Sequence, residues 1–282
     1  MKALIILLLA CAIFGTSGYF AYELFLKPQL ELQREKIAPA TPAPPDSSVP
    51  EFEKCVAIKR SGQLLEARKA FYDFIEQHPV STKLDDARNE LGELNTRVFF
   101  SDVPTPDKLV YIVRPGDVIT RVAQKHKTTP ELIMRANNLT GSMLRIGQKL
   151  ILPMPDFTVV ISRKQNKVVV LRGNKFFKQY PILKWPDQLA PKKGAPPMKM
   201  AGKIIEKVAW VDGSRVNFTD KNYARAVHWI NITIRHATLY PVPPVGTDPA
   251  KFNKPASGIA LSAGATAELG ALLARGNPVT LE

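Results

Sequence analysis

Leu109-Val110-Tyr111-Ile112-Val113-Arg114-Pro115-Gly116-Asp117 opens the stretch whose reading decides how this chain is built. Leu109, Tyr111 and Val113 alternate as the apolar positions of a strand do, and Pro115-Gly116-Asp117 then turns the chain into a helix running to about Lys127. Thr129-Pro130 is a helix start, with a hydroxyl ahead of a proline in the first turn, and Leu132, Ile133 and Ala136 recur at helical spacing behind it. Asn137-Asn138-Leu139 and the turn residues Thr140-Gly141-Ser142 end that helix. A last strand closes the unit through Ile146-Gly147-Gln148-Lys149-Leu150-Ile151-Leu152-Pro153, so residues 108–155 predict the order strand, helix, helix, strand.

This pattern resembles a LysM module from end to end. The resemblance rests on Tyr111-x-Val113-x-x-Gly116-Asp117, on Ala123, on Asn137-x-Leu139 and on Ile146-Gly147-Gln148-x-Leu150-x-Leu152-Pro153. It implies a βααβ fold that binds glycan containing N-acetylglucosamine in a shallow groove between the first and last loops. Carried over position by position, Gly116, Asp117, Val118 and Ile119 would line one side, and Met143, Leu144, Arg145 and Ile146 the other. At Val118-Ile119-Thr120 the sequence departs from the hydroxyl followed by leucine that the family usually offers. Some of these apolar residues are equally expected in the core of so small a unit.

Residues 157–282 carry short apolar runs separated by turn residues. Val159-Val160-Ile161 and Lys167-Val168-Val169-Val170-Leu171 flank a Gln165-Asn166-Lys167 turn, and further strands are expected at 176–183, 203–208, 227–234 and 279–281. This predicts a mainly β domain. The opening hairpin, Pro191-Lys192-Lys193-Gly194-Ala195-Pro196-Pro197, His228-Trp229-Ile230, Ile234-Arg235-His236-Ala237-Thr238, and the closing Ala265 to Leu269 helix with Gly276 and Pro278-Val279-Thr280-Leu281 together resemble a YkuD-type L,D-transpeptidase domain. That resemblance implies a cysteine nucleophile in a serine-histidine-glycine-cysteine-x-arginine motif, attacking a stem-peptide carbonyl with a histidine assisting. The matching stretch here is Ala256-Ser257-Gly258-Ile259-Ala260-Leu261-Ser262, which has no cysteine and has alanine in place of the arginine. His236 is retained. A serine hydroxyl needs an oriented base and a prepared oxyanion site. The catalytic candidates are therefore His236 with Ser257, or with Ser262, against the plain reading of both serines as turn residues.

Upstream, residues 3–22 are apolar enough, at about 20 residues, to cross a hydrocarbon core as a helix. Lys2 places the N-terminus on the cytoplasmic side. A cleaved signal peptide ending near Thr16-Ser17-Gly18 competes with this anchor, and a lipoprotein box around Cys11 ranks third. Residues 23–50 are a proline-rich spacer, and residues 51–103 carry helical periodicity broken at Gly62 and at His78-Pro79-Val80-Ser81. The pattern of Ala67, Ala70, Phe71, Phe74, Pro79, Ala87 and Leu91 resembles one tetratricopeptide-type hairpin, a docking element for a protein partner or a plain helical bundle.

The 282 residues carry a formal net charge of +14, concentrated toward the C-terminal half. A basic surface suits polyanions, including stem-peptide carboxylates, or is simply a solvated face. With only two cysteines, Cys11 and Cys55, no intradomain disulfide framework or cysteine zinc site can be built, and four scattered histidines give no metal motif. The sequence thus predicts a multidomain α+β protein: an N-terminal transmembrane helix, an α-helical hairpin, a βααβ LysM module and a mainly β L,D-transpeptidase-like domain. Peptidoglycan is its expected partner, alongside the membrane and a protein docked on the hairpin, with no nucleic acid and no cofactor. The expected function is cell-envelope peptidoglycan binding without catalysis. The alternative is an active L,D-transpeptidase with an unorthodox nucleophile.

Overall fold

A computed structural model describes residues 22–30, 46–191, 194, 198–223, 226–243 and 254–282. The chain divides into two compact units, Met1–Ser47 and Ser48–Glu282. In the first, Tyr22–Leu26 form a short π-helical segment, and Lys27 pairs with Glu23. The transmembrane helix of the expected fold class has no counterpart among the described helices. Among the described residues no helix is long and apolar enough to cross a membrane. Residues 3–21 of that expected span lie outside the described residues, as does most of the proline-rich spacer.

The second unit begins with three helices, α1 (Val49–Arg60), α2 (Leu64–Gln77) and α3 (Leu84–Phe100). Ala67, Phe71 and Phe74 on α2 and Ala87, Leu91, Leu94 and Val98 on α3 recur three and four residues apart, so each helix buries one stripe. Phe52 of α1 meets Phe71 and Phe74 edge-on at 6.1 and 5.8 Å. The expected hairpin is therefore a three-helix layer, because α1 supplies the aromatic face that α2 needs.

Next come β1 (Lys108–Ile112), α4 (Ile119–Lys125), α5 (Pro130–Ala136) and β2 (Lys149–Pro153). β1 and β2 pair antiparallel from Lys108 opposite Pro153 to Ile112 opposite Lys149. Thr129 caps α5 by accepting a hydrogen bond from the Leu132 amide at 3.2 Å. Val113, Val122, Ala123, Ile133, Leu150 and Leu152 form the core of this unit. Leu132 turns the other way and joins the larger core around Phe99 and Phe157.

The remaining strands are β3 (Phe157–Ser162), β4 (Lys167–Arg172), β5 (Lys175–Pro181), β6 (Met200–Val211), β7 (Ser214–Val216), β8 (Val227–Ile232), β9 (Leu239–Pro241), β10 (Ile259–Leu261) and β11 (Pro278–Leu281), with α6 (Ala263–Leu272) before the last. They make one nine-stranded sheet in the order β10-β9-β8-β6-β11-β3-β4-β5, with β7 on β6. β10 runs parallel to β9 and β11 parallel to β3, while the other pairs are antiparallel. The twelve-residue β6 changes partner along its length, pairing with β11 over Met200–Lys203 and with β8 from Ile204 onward, with a register shift between Ile204 and Glu206. That shift lets the sheet curl. A side chain at Gly202 would lie 2.6 Å from Thr233 Oγ1, so the close approach there requires glycine.

This corrects the expected fold class. The transpeptidase-like part is not a mainly β module standing alone but part of a mixed α/β unit whose sheet edge is covered by helices. Asn95 donates to the Phe177 carbonyl at 2.8 Å, Tyr72 donates to the Phe176 carbonyl at 2.7 Å, and Gln179 donates to Asn89 at 2.8 Å. Lys178 of β5, only 8% exposed, reaches Glu93 at 2.7 Å and Glu268 at 3.0 Å. Two carbonyls of the edge strand, those of Phe176 and Phe177, are thereby satisfied by α2 and α3 rather than left open.

Candidate functional site

The loops around β1 and β2 are tied together by backbone. Gly147 donates to the Val113 carbonyl at 2.8 Å and Val113 to the Gln148 carbonyl at 2.9 Å. Gly116 and Gly147 take φ of +82° and +80°, a left-handed conformation that glycine adopts without a Cβ clash. Asp117 braces the first loop: its Oδ2 accepts from the Tyr111 hydroxyl at 2.6 Å and from the Arg114 amide at 2.8 Å. The Tyr111 hydrogen bond, followed by that of Arg114, holds the Asp117 carboxyl below its ordinary value, and the same bond to Asp117 raises the Tyr111 phenol.

A hollow of about 600 Å³ opens beside these loops. Of the residues the sequence nominated, Met143, Arg145 and Ile146 line it, and Met143 and Ile146 are 88% and 72% exposed. Leu144 packs against the core of the unit instead, and Ile119 is 2% exposed within that core. Gly116, Asp117 and Val118 form the neighbouring loop without lining the hollow. Its other walls are Asn138, Leu139, Thr140 and Gly141, with Gly147 and Gln148. Sequence reasoning placed Asn138 and Leu139 at the end of a helix, Thr140 and Gly141 in a turn, and Gly147 and Gln148 in the closing strand. The signal it could have used is Asn138, whose φ of +52° turns the chain at the end of α5 and aims this wall at the last loop.

The second candidate site lies where β9 and β10 run side by side. His236 sits half-buried in the turn after β8 with φ of +65°. Ser257 Oγ has Gln188 Oε1 as its hydrogen-bond partner, at 3.4 Å. Ser262 is the N-cap of α6, accepting from the Ala265 amide at 3.1 Å. Among the described residues no hydrogen bond joins His236 to either serine. Between the serines, β10 is closed off: Ile259, Ala260 and Leu261 are fully buried, and the Ile259 amide donates to the Thr238 carbonyl at 2.8 Å. A Cβ on Gly258 would stand 2.5 Å from the Thr238 oxygen and 3.0 Å from the Tyr240 ring. Much of the 191–197 segment, including Lys192, Lys193 and Pro196, lies outside the described residues. Cys55 is buried in the helical layer beside Phe52, where burial, and after it Glu51, pushes its thiol up.

A βααβ unit with paired terminal strands and a hollow at its loops is the architecture expected of a LysM module, and the family comparison agrees. The LysM domain family model matches residues 111–153, and this segment is a LysM domain. No curated protein matches the chain. Among solved structures, an L,D-transpeptidase from Mycobacterium smegmatis superposes with a TM-score of 0.30 at 13% identity, over 49% of this chain and 64% of that one. An L,D-transpeptidase (Yku) from Stackebrandtia nassauensis gives 0.29 at 16% identity, over 45% and 55%. An L,D-transpeptidase from Mycobacterium tuberculosis H37Rv gives 0.29 at 15% identity, over 64% and 96%. The chain thus spans 64% and 55% of the length of the first two.

Proposed function

We propose that this chain is a cell-envelope protein that binds peptidoglycan glycan through its LysM domain and whose transpeptidase-like part holds wall polymer without cutting or joining it. The LysM match supports the glycan reading, together with the exposed apolar side chains of Met143 and Ile146 at the hollow's rim. Such side chains offer apolar contact to N-acetyl methyl groups, while the backbone of the surrounding loops offers donors and acceptors. The observation that carries the non-catalytic reading is the closed strand at Gly258–Leu261, where the resemblance would put a thiol after the glycine and where the chain instead has the fully buried, unreactive side chain of Ile259.

An acyl-transfer site needs a nucleophile within hydrogen-bond reach of its base. Ser262 is occupied as a helix cap, and Ser257 pairs with Gln188. Cys55 would have to leave an aromatic core to act.

The test uses the full chain. It should co-sediment with purified peptidoglycan, and the double variant Met143→Ala with Ile146→Ala should lower the bound fraction several-fold at unchanged thermal stability, since both side chains are exposed. In parallel, incubation with muropeptides should give no new crosslinks and no shortened stems. Undiminished binding by the double variant would remove the hollow as the glycan site, and new crosslinks would remove the non-catalytic reading.

A further inference from the structure

A second depression lies where the LysM domain meets the sheet. It encloses about 520 Å³, inside the range of about 300–1,000 Å³ usual for small-ligand pockets. Leu139 and Thr140 line both this cleft and the hollow at the LysM loops, so the two adjoin at the end of α5. Met134, Leu139 and Phe218 give it apolar walls. Opposite them stands His228 of β8, 7% exposed, with Gly270 of α6 packed against its ring and Tyr223 edge-on at 5.2 Å.

The buried polar group, His228, favours an uncharged ligand group at its own end of the cleft. Burial, and after it the neighbouring Lys207, holds the His228 ring below its ordinary pKa, against the smaller opposing pull of the Ala226 carbonyl and Glu131. The ring is therefore neutral at neutral pH, with one N–H donor and one acceptor nitrogen, and its Nδ1 makes no hydrogen bond. Of the ionised groups of the wall, Glu131 and Arg135 are already engaged, Asp220 accepts from the Asn222 amide at 2.7 Å, and Lys221 is exposed. Glu131 pairs with Lys207 at 3.3 Å, Lys207 also donates to the Gly270 carbonyl at 2.9 Å, and Arg135 lies over the Phe100 ring at 4.3 Å. At His228 itself a carboxylate would face Glu131 and find Lys207 already paired, whereas an amide needs only the ring's donor and acceptor.

We propose that this cleft is a second sugar subsite, in which a glycan held at the LysM loops continues past Thr140 and lays its next N-acetylated residue against Met134, Leu139 and Phe218, with the acetamido group at His228. The inference rests on the glycan-binding reading of the LysM domain. It makes the LysM domain and the transpeptidase-like sheet two walls of one binding tract, and it gives the sheet a role that needs no nucleophile.

The test is a titration of the full chain with N-acetylglucosamine oligomers of increasing length, beside the variant Ala267→Trp. Ala267 is exposed on α6 and lines the cleft, so the indole fills it from the solvent side. The unmodified chain should gain about tenfold or more in affinity once the oligomer outgrows the LysM loops, the scale of one additional good subsite. The variant should bind short oligomers as the unmodified chain does and lose the gain with long ones, and de-N-acetylated oligomers should show no gain with either. Equal length dependence in both proteins, or short-oligomer binding with no gain at any length, would overturn the subsite while leaving LysM binding intact. Failure of every oligomer to bind would overturn the glycan reading and the subsite with it. A second measurement needs no variant: the His228 ring resonances should shift on saturation with long oligomers and stay fixed with short ones, and unshifted resonances with long oligomers would overturn the assignment.

Discussion

Asn137 is the residue on which the LysM fold is most exposed to a single change. Its side chain donates to the Ile133 carbonyl at 2.7 Å and to the Ile151 carbonyl at 2.7 Å, and accepts from the Ile151 amide at 2.7 Å. One amide thus ends α5 and satisfies the edge of β2 that faces away from β1. Each such bond contributes about 0.5–1.5 kcal/mol net, and the three are partly buried, so water replaces them incompletely. Asn137→Ala should therefore cost the LysM domain about 2–3 kcal/mol. Asn137→Asp, nearly the same shape, should be no better, because a carboxylate would face two carbonyl oxygens. Hydrogen exchange at the Ile151 amide reads this directly: about 2 kcal/mol corresponds to roughly thirtyfold faster exchange where opening is rate-limited by the local equilibrium. A change in stability below about 0.5 kcal/mol, the level of an ordinary surface substitution, would refute the reasoning. So would an Asp variant as stable as the parent.

Other outcomes follow from the same geometry. Gly258→Ala should destabilise the chain by about 1–3 kcal/mol, the usual cost of overpacking, because its methyl group would meet the Thr238 carbonyl at 2.5 Å; thermal unfolding at an unchanged temperature would show that β10 is not closed. His228, whose pKa is held below the ordinary 6.5, contributes stability that is complete above about pH 6.5 and lost as pH falls from there through the folded-state value. The difference in unfolding free energy between the parent and His228→Gln should therefore be flat above pH 6.5 and slope below it, and a slope above pH 7 instead would contradict the assignment. Wall affinity contributed by the basic C-terminal part should fall steeply between low and moderate salt, since exposed charges are screened over about 8–10 Å at physiological ionic strength, while oligomer binding at the LysM loops should change little.

The LysM domain was legible because its determinants are local. Tyr111 and Asp117, read as motif positions, prove to be hydrogen-bonded to each other, and Thr129 caps the helix its sequence announces. What the sequence hid lies in contacts between distant segments. Strand β10 was read only as a missing motif, and its pairing with β9 depends on a partner with no strand-like run of its own. The helical stretch read as a docking hairpin or a plain helical bundle because nothing in Asn95 or Tyr72 points to the backbone of Phe176 and Phe177. His228 was noticed only within a family segment, since its place in a cleft needs α5 and α6 brought together from more than a hundred residues apart. Apolar composition over residues 3–22 suggested a membrane helix, and no described helix has the length and hydropathy to cross one.

We propose above that the chain holds wall polymer with a transpeptidase-like sheet that has no working nucleophile. Intact-mass spectrometry of the full chain after exposure to a carbapenem, run beside peptidoglycan co-sedimentation of the same preparation, tests it most directly. The expected result is an unmodified mass in a protein that pellets with peptidoglycan. A covalent adduct would contradict it, and mapping that adduct to Cys55, Ser257 or Ser262 would identify the nucleophile the account says is absent.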